Sequence, residues 1–330
     1  MRIFTDKHAD LKYIKKRRLL LIGYGNQGRA FAQNLRDSGL NITICLKANS
    51  KSVKTAVSDN FKVITPAQID SQYDFYIFLI PDHVQAEFYT KYLQNRIPVG
   101  ATLLFAHGYS IHFKLIHPPK NSDVILLAPH GPGRDLRETY LNDGGLTCFT
   151  AVYQDFSETA LQQALGIAKA LKCTQAGAFL TSFEHETLGD LFGEQVLLCG
   201  GLAELVSKSF EILVKNGLPP ENAYLETVQQ IDLLAGLIKN HGIHGMTERI
   251  SLTAQYGMLK SGHKIIDNNT GKRMQETFER IKSGKFTREW QKEYQNKLTN
   301  LKTYKQNLKK TELEKTAAKL RKKIQGQKHE

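Results

Sequence analysis

Short, wholly apolar runs separated by polar stretches of helical composition organise the first 180 residues. Positions 19–22 (Leu-Leu-Leu-Ile), 41–46, 61–64, 75–80, 102–106 and 124–128 each have the length and bounding signals of a buried strand. A helical segment follows Gly28 and runs to about Ser38-Gly39, and another starts at Pro81-Asp82-His83-Val84-Gln85. This alternation predicts an α/β domain built on a parallel, doubly wound sheet. Residues 146–153 read as a further strand, 158–171 as a helix and 176–180 as the strand that closes the domain. From about Thr181 the period becomes helical. Residues 186–205 form one long stretch interrupted at Gly200-Gly201 and continued by 210–216, Gly217 with Pro219-Pro220 makes a stop, and 221–239 form a second long helix. The expected organisation is a nucleotide-binding domain at 1–180, an all-helical domain at 181–300 and a basic helical tail at 301–330.

Chemistry enters at the end of the first strand, where Gly23-Tyr24-Gly25-Asn26-Gln27-Gly28 spells G-x-G-x-x-G between a strand and a helix. Its glycines permit a tight turn and let backbone N–H groups approach a pyrophosphate at a helix N-terminus, the Rossmann arrangement. After the second strand the chain reads Leu46-Lys47-Ala48-Asn49-Ser50-Lys51-Ser52. An NAD site would place an acid there for the ribose hydroxyls; a cation and two hydroxyls suit a 2′-phosphate, so the expected cofactor is NADP(H). A polar surface turn explains the composition as well, but the missing acid still argues against NAD. In such sheets ligands bind beyond the carboxyl ends of the strands. Gly25, Asp82, His107 and His130 (before Gly131-Pro132-Gly133) all fall at such ends. Ordinary loop histidines are the alternative at 107 and 130.

A second candidate site lies at Glu186, Asp190 and Glu194, which share a helix face at four-residue spacing among Leu191, Phe192, Val196, Leu197 and Leu198. Like charges on a half-buried face call for a cation, and a hard divalent ion with oxygen ligands, Mg2+, is the economical one. Lys or Arg from elsewhere in the chain would serve equally for an ordinary helix edge.

Composition adds limits. With 41% hydrophobic and 23% charged residues the chain is an ordinary globular protein of 330 residues, and no apolar run is long enough to cross a bilayer. Lys15-Lys16-Arg17-Arg18 ahead of the first strand is no signal peptide, because glycine ends the apolar run at once. The four scattered cysteines (Cys45, Cys148, Cys173, Cys199) read as reduced, and the expected location is cytoplasmic. Net charge is +13, of which +7 falls in residues 301–330, where ten Lys and Arg oppose Glu312, Glu314 and Glu330. That tail reads as a solvated, frayed helix. Nucleic-acid binding is disfavoured, since Tyr304 is its one aromatic residue.

Taken together these segments resemble the ketol-acid reductoisomerase family, of the short class I type. The resemblance rests on Gly23–Gly28, Asn34-Leu35-Arg36-Asp37-Ser38-Gly39, Leu79-Ile80-Pro81-Asp82-His83-Val84-Gln85-Ala86-Glu87, Phe105-Ala106-His107-Gly108, Ile111-His112-Phe113, Asp190-Leu191-Phe192-Gly193-Glu194-Gln195 and Leu198-Cys199-Gly200-Gly201-Leu202. It implies an NADP(H)- and Mg2+-dependent alkyl shift and reduction of 2-acetolactate or 2-aceto-2-hydroxybutyrate, in valine and isoleucine biosynthesis. It also implies a homodimer or an assembly of dimers. Asp190 would bridge two Mg2+ ions and Glu194 complete the first site; Glu226, with Gln230 one turn on, would serve the second from a partner subunit. Ser251 would hold the substrate carboxylate, and His107 would be the active-site histidine. Gly23, Tyr24, Gly25, Asn26, Gln27, Gly28, Lys47, Ser50, Ser52, Asp82, His83, Val84, Gln85 and Gly133 would hold NADP(H). Two departures fall at the chemistry: His130 stands where the family has a catalytic lysine, and Gln230 where it has glutamate. Lys47 for arginine and Leu252 for asparagine are lesser changes. Three functions follow: an atypical ketol-acid reductoisomerase, a 2-keto acid reductase with a weakened or lost isomerase step, and a non-catalytic NADP-binding relative. The retained acids argue against the third.

Overall fold

The computed structural model describes residues 1–326; Lys328 and Glu330 of the basic tail lie outside the described residues. Two compact units divide the chain between Gly189 and Asp190.

The first unit is a nine-stranded sheet. Its strands are β1 (Ile3–Phe4), β2 (Leu19–Ile22), β3 (Ile42–Cys45), β4 (Lys62–Ile64), β5 (Phe75–Phe78), β6 (Thr102–Phe105), β7 (Asp123–Pro129), β8 (Cys148–Gln154) and β9 (Ala178–Leu180). They lie in the order β1-β9-β8-β7-β6-β5-β2-β3-β4. Helices α1 (Asn26–Asp37), α2 (Ser52–Ser58), α3 (Asp82–Tyr92), α4 (Tyr109–His112), α5 (Gly133–Leu141), α6 (Ala160–Ala170) and α7 (Cys173–Ala176) connect them. Every residue of β2, β3, β5 and β6 is buried, as expected of parallel strands covered on both faces. One core cluster lies on each side of the sheet's central strands. Leu19 and Leu21 point into one and Leu20 and Ile22 into the other, following the two-residue period of a strand.

The α/β architecture is the expected one, with two differences of detail. The sheet is mostly parallel, but β8 runs antiparallel to β7, and β1 antiparallel to β9. After β7 the chain forms α5, which packs along α1, and re-enters the sheet at the carboxyl edge, where His130 N–H bonds the Thr147 carbonyl at 2.9 Å. Residue 176 belongs to α7 rather than to the closing strand.

The second unit is helical and is entered along α8 (Phe183–Gly193). It continues through a wide turn at Glu194–Leu198 into α9 (Gly200–Lys215), α10 (Pro220–Thr227), α11 (Ile231–Thr247), α12 (Leu252–Ile265), α13 (Asn268–Lys282), α14 (Lys285–Gln295), α15 (Thr299–Lys310) and α16 (Glu312–Gly326). The expected single helix at 221–239 is therefore broken between Thr227 and Ile231, and α11 kinks at Gly242, whose φ is +71°. Within the described residues the basic tail is not a frayed helix. Thr316 and Ala317 of α16 are buried, α16 packs on α10 and α9, and Lys319 pairs with Glu221 of α10. By contrast, Leu197, Leu198, Leu233, Ile243, Leu252, Tyr256 and Leu259 all stand exposed.

Candidate active site

The turn after β2 is shaped by its glycines. Gly23 has φ +104°, and a side chain there would meet the Leu79 carbonyl oxygen at 2.6 Å. A Cβ on Gly28 would meet the Gly23 carbonyl oxygen at 2.7 Å, so this glycine lets α1 sit against the turn. Above Gly25 nothing lies within 4 Å. Gly25 also begins α1 without a side-chain cap, leaving the first N–H groups of the helix for an anion.

A cleft of about 690 Å³ opens on this turn. Its walls include Gly23, Tyr24, Gly25, Asn26 and Gln27; Lys47, Ser50 and Ser52 after β3; Asp82, Val84 and Gln85 after β5; and His107 after β6. It lies at the carboxyl ends of adjacent strands, where the chain, having gone from β2 to β3 on one side, crosses to β5 on the other. Gly28, His83 and Gly133 do not line it. Gly28 acts through helix packing. Gly133 abuts the turn from behind: a Cβ there would lie 2.1 Å from the Asn26 carbonyl oxygen. Gln85 braces the loop, its amide donating to the Ile80 carbonyl at 3.0 Å and accepting from Ser110 at 2.8 Å.

Tyr24 is held by a group that motif reading missed. Its hydroxyl donates to Asp59 Oδ2 at 2.7 Å, and Arg29 binds both oxygens of the same carboxylate at 2.7 and 3.0 Å. The Arg29 hydrogen bond holds the Asp59 carboxyl below its ordinary range, while burial followed by the Asp59 bond pushes the Tyr24 phenol up. Cys45, on the cleft floor, is pushed up to about 12 by burial and is no nucleophile at neutral pH.

His107 meets a buried acid. Glu186, a buried residue of α8, takes His107 Nδ1 at 3.0 and 3.1 Å and the Gly108 N–H at 2.7 Å. Gly108 is required by this contact, since a Cβ would fall 2.8 Å from the Phe183 carbonyl oxygen and 2.9 Å from the Glu186 carboxylate. Glu186 is thus spent on the imidazole and a backbone amide rather than forming a trio with Asp190 and Glu194. Nothing in the sequence links positions 78 and 79 residues apart, so this role was not legible. His130, at the end of β7, bonds Thr147 Oγ1 through Nδ1 at 2.9 Å, and Phe149 stands edge-on at 4.3 Å. Desolvation lowers the His130 pKa, and the charge of Glu186 opposes the shift.

In the second unit Asp190 and Glu194 stand at the end of α8 and the start of the wide turn. Both are exposed, where a half-buried face was expected. Glu226 and Gln230 are also exposed; the Gln230 amide donates to Glu226 Oε2 at 3.1 Å across the break after α10. Ser251 caps α12, its Oγ accepting from Ala254 N–H at 3.2 Å, which leaves the hydroxyl proton to donate. The donor set is all oxygen, the chemistry that suits Mg2+. Among the described residues, however, no group of three or more His, Cys, Asp and Glu side chains is arranged to hold a metal ion.

Comparison with known proteins now decides the family. Residues 13–177 match the acetohydroxy acid isomeroreductase NADPH-binding domain, and residues 183–325 match the ketol-acid reductoisomerase C-terminal domain. The chain belongs to the ketol-acid reductoisomerase family. Its similarity to the ketol-acid reductoisomerase (NADP(+)) of Saccharolobus solfataricus is 48% identity over 293 residues, covering 89% of this chain and 88% of that protein. The corresponding protein of Pyrobaculum aerophilum is 42% identical over 325 residues, 98% of this chain and 99% of the relative. The solved NADH-preferring ketol-acid reductoisomerase from an uncultured archaean superposes with a TM-score of 0.93 at 38% identity, covering 98% of this chain and 99% of that one. As a ketol-acid reductoisomerase family member the chain is an oxidoreductase with an NADP-binding Rossmann domain. Among the described residues, no helix is long and apolar enough to cross a membrane.

Proposed function

We propose that the chain catalyses the NADPH- and Mg2+-dependent alkyl shift and reduction of 2-acetolactate-type substrates that feed valine and isoleucine synthesis. The observation that carries this reading is His107, fixed by Glu186, on the wall of the cleft that the glycine turn opens. Bound Mg2+ would supply Lewis acidity for the alkyl shift, and NADPH the hydride. The chain's own residues do the rest. The N-terminus of α1 receives the pyrophosphate; Lys47, Ser50 and Ser52 receive the 2′-phosphate. Asp82, Val84 and Gln85, on the same cleft, hold the bound NADPH beside the glycine turn. Asp190 and Glu194 are the ligands for the first metal ion, and Glu226 and Gln230, from a second copy, those for the second. Ser251 donates its free hydroxyl proton to the substrate carboxylate. Glu186 holds His107 in one orientation and one tautomer on the cleft wall.

The exposed apolar residues of α11 and α12, beside an acid set that holds no group of three arranged for a metal ion among the described residues, support a homodimer whose partner completes the site. Light scattering of the purified protein tests this, and a monomer at micromolar concentration refutes it.

A second reading, reduction with a weakened alkyl shift, draws support from Gln230. Its neutral amide replaces a carboxylate and donates to Glu226, removing negative charge where two cations would sit. One assay separates the two. Purified protein with Mg2+ and NADPH is given either 2-acetolactate or 3-hydroxy-3-methyl-2-oxobutanoate while reduced cofactor is followed by absorbance. Oxidation with both supports the full reaction; oxidation with the second compound alone supports the reductase. Tight NADPH binding with neither reaction refutes both.

A further inference from the structure

The turn between α8 and α9 is wider than α-helical. Cys199 N–H bonds the Glu194 carbonyl at 2.9 Å, five residues back, and the π-turn so formed spans Glu194–Leu198. Cys199 itself has φ −113° and ψ −62°, away from ideal helix values. Two glycines follow at once. A Cβ on Gly200 would stand 2.2 Å from the Gln195 carbonyl oxygen, and one on Gly201 1.9 Å from the Val196 carbonyl oxygen. Both obstacles are backbone, so neither can swing aside. The glycine pair is what lets the turn stay open. Gly193, just before the turn, is different: a Cβ there meets nothing nearer than Leu198 Cδ1 at 3.8 Å. Buried beside Glu194, Gln195 Nε2 has no acceptor among the described residues, a further sign that local packing is subordinated to the turn.

One extra residue in a helical turn rotates everything beyond it by about 100°. We infer that the Glu194–Leu198 π-turn, held open by Gly200 and Gly201, sets the rotational phase of the Asp190–Glu194 carboxylates against α9, which packs on the turn, and α10, which packs on α9. Gly200 and Gly201 are then positioning residues for the metal site. This rests on the proposal above that Asp190 and Glu194 bind Mg2+. Without the extra residue α8 and α9 form one continuous α-helix, and the two carboxylates face a different side of the unit.

The test uses the full-length protein and Mn2+ as the spectroscopic probe, with affinity read by electron paramagnetic resonance and folding by thermal melting and NADPH binding. G201A lowers Tm and weakens Mn2+ by about tenfold or more, the range seen when groups that orient metal ligands are lost. G193A leaves both unchanged. Deleting the exposed Leu197 from G201A removes the surplus residue, so the melting temperature recovers while Mn2+ affinity stays low. A purely structural role predicts that the two recover together, and that result overturns the inference. So does a folded G201A, or a folded Leu197 deletion in the wild-type background, with wild-type Mn2+ affinity. E194Q separates the underlying reading: if it binds Mn2+ as the wild type does, the metal assignment falls and the inference with it.

Discussion

Gly133→Ala isolates a contact that supports the cofactor cleft without touching it. The new methyl would lie 2.1 Å from the Asn26 carbonyl oxygen, 2.5 Å from its carbon and 2.8 Å from Gln27 N. Ordinary contact begins near 3.4 Å, so α5 and the glycine turn must separate by about 1.3 Å. Overpacking of this kind costs about 1–3 kcal/mol. Asn26 and Gln27 are the first residues of α1 and line the cleft, so their displacement moves the N–H groups that would hold the pyrophosphate. Since about 1.4 kcal/mol is tenfold in affinity, NADPH binding should weaken by about 5- to 150-fold. The assay is titration by nucleotide fluorescence, with a thermal melt beside it. If the strain is absorbed by α5, Tm falls and affinity holds; if by the turn, affinity falls. Gly144→Ala, whose methyl would stand 3.5 Å from the Thr139 carbonyl oxygen, is the matched control and should change neither. Wild-type affinity together with wild-type Tm in Gly133→Ala refutes the argument.

Glu186→Gln keeps the shape of the buried acid but removes its charge from His107 and Gly108. Charged hydrogen bonds are worth about 1.5–3 kcal/mol, so kcat should fall by about 10- to 150-fold while the KM for NADPH holds; steady-state kinetics that move KM instead refute the positioning role. Desolvation lowers the pKa values of His83, His112 and His130 from 6.5. The unfolded chain therefore takes up protons first, and the stability these groups permit is full above pH of about 6.5 and declines below it. Urea midpoints across that window should fall with pH, less steeply in His130→Gln; parallel profiles refute the assignment. Lys47→Ala should cut the NADPH-over-NADH preference by about tenfold, through loss of a cation near the 2′-phosphate; an unchanged ratio of kcat/KM values places selectivity elsewhere. His130→Lys with Gln230→Glu should tighten Mg2+ and raise the alkyl-shift rate, and calorimetry showing unchanged affinity refutes the account of Gln230.

What the linear chain determined by itself were local matters. A short apolar run bounded by turn signals, such as Leu19–Ile22, reads as a strand buried on both faces, and glycines spaced between such a strand and a helix read as a tight turn, because both follow from backbone sterics and apolar transfer acting over a few residues. Hence the Rossmann half, the cleft residues at strand ends and the helical second half were legible. The tertiary structure decided whatever depends on distant segments meeting. The antiparallel entry of β8 beside β7 and the pairing of Glu186 of α8 with His107 after β6 both depend on which segments meet across the fold. The same holds for Gly133, whose neighbour is Asn26, and for α16, whose neighbour is α10. Nor does the glycine pair at 200 and 201 announce a π-turn, since glycine marks breaks, caps and close approaches alike; which carbonyl blocks a methyl is known once the backbone has closed on itself. Local sequence sets the conformations open to a segment, and packing across the fold picks among them.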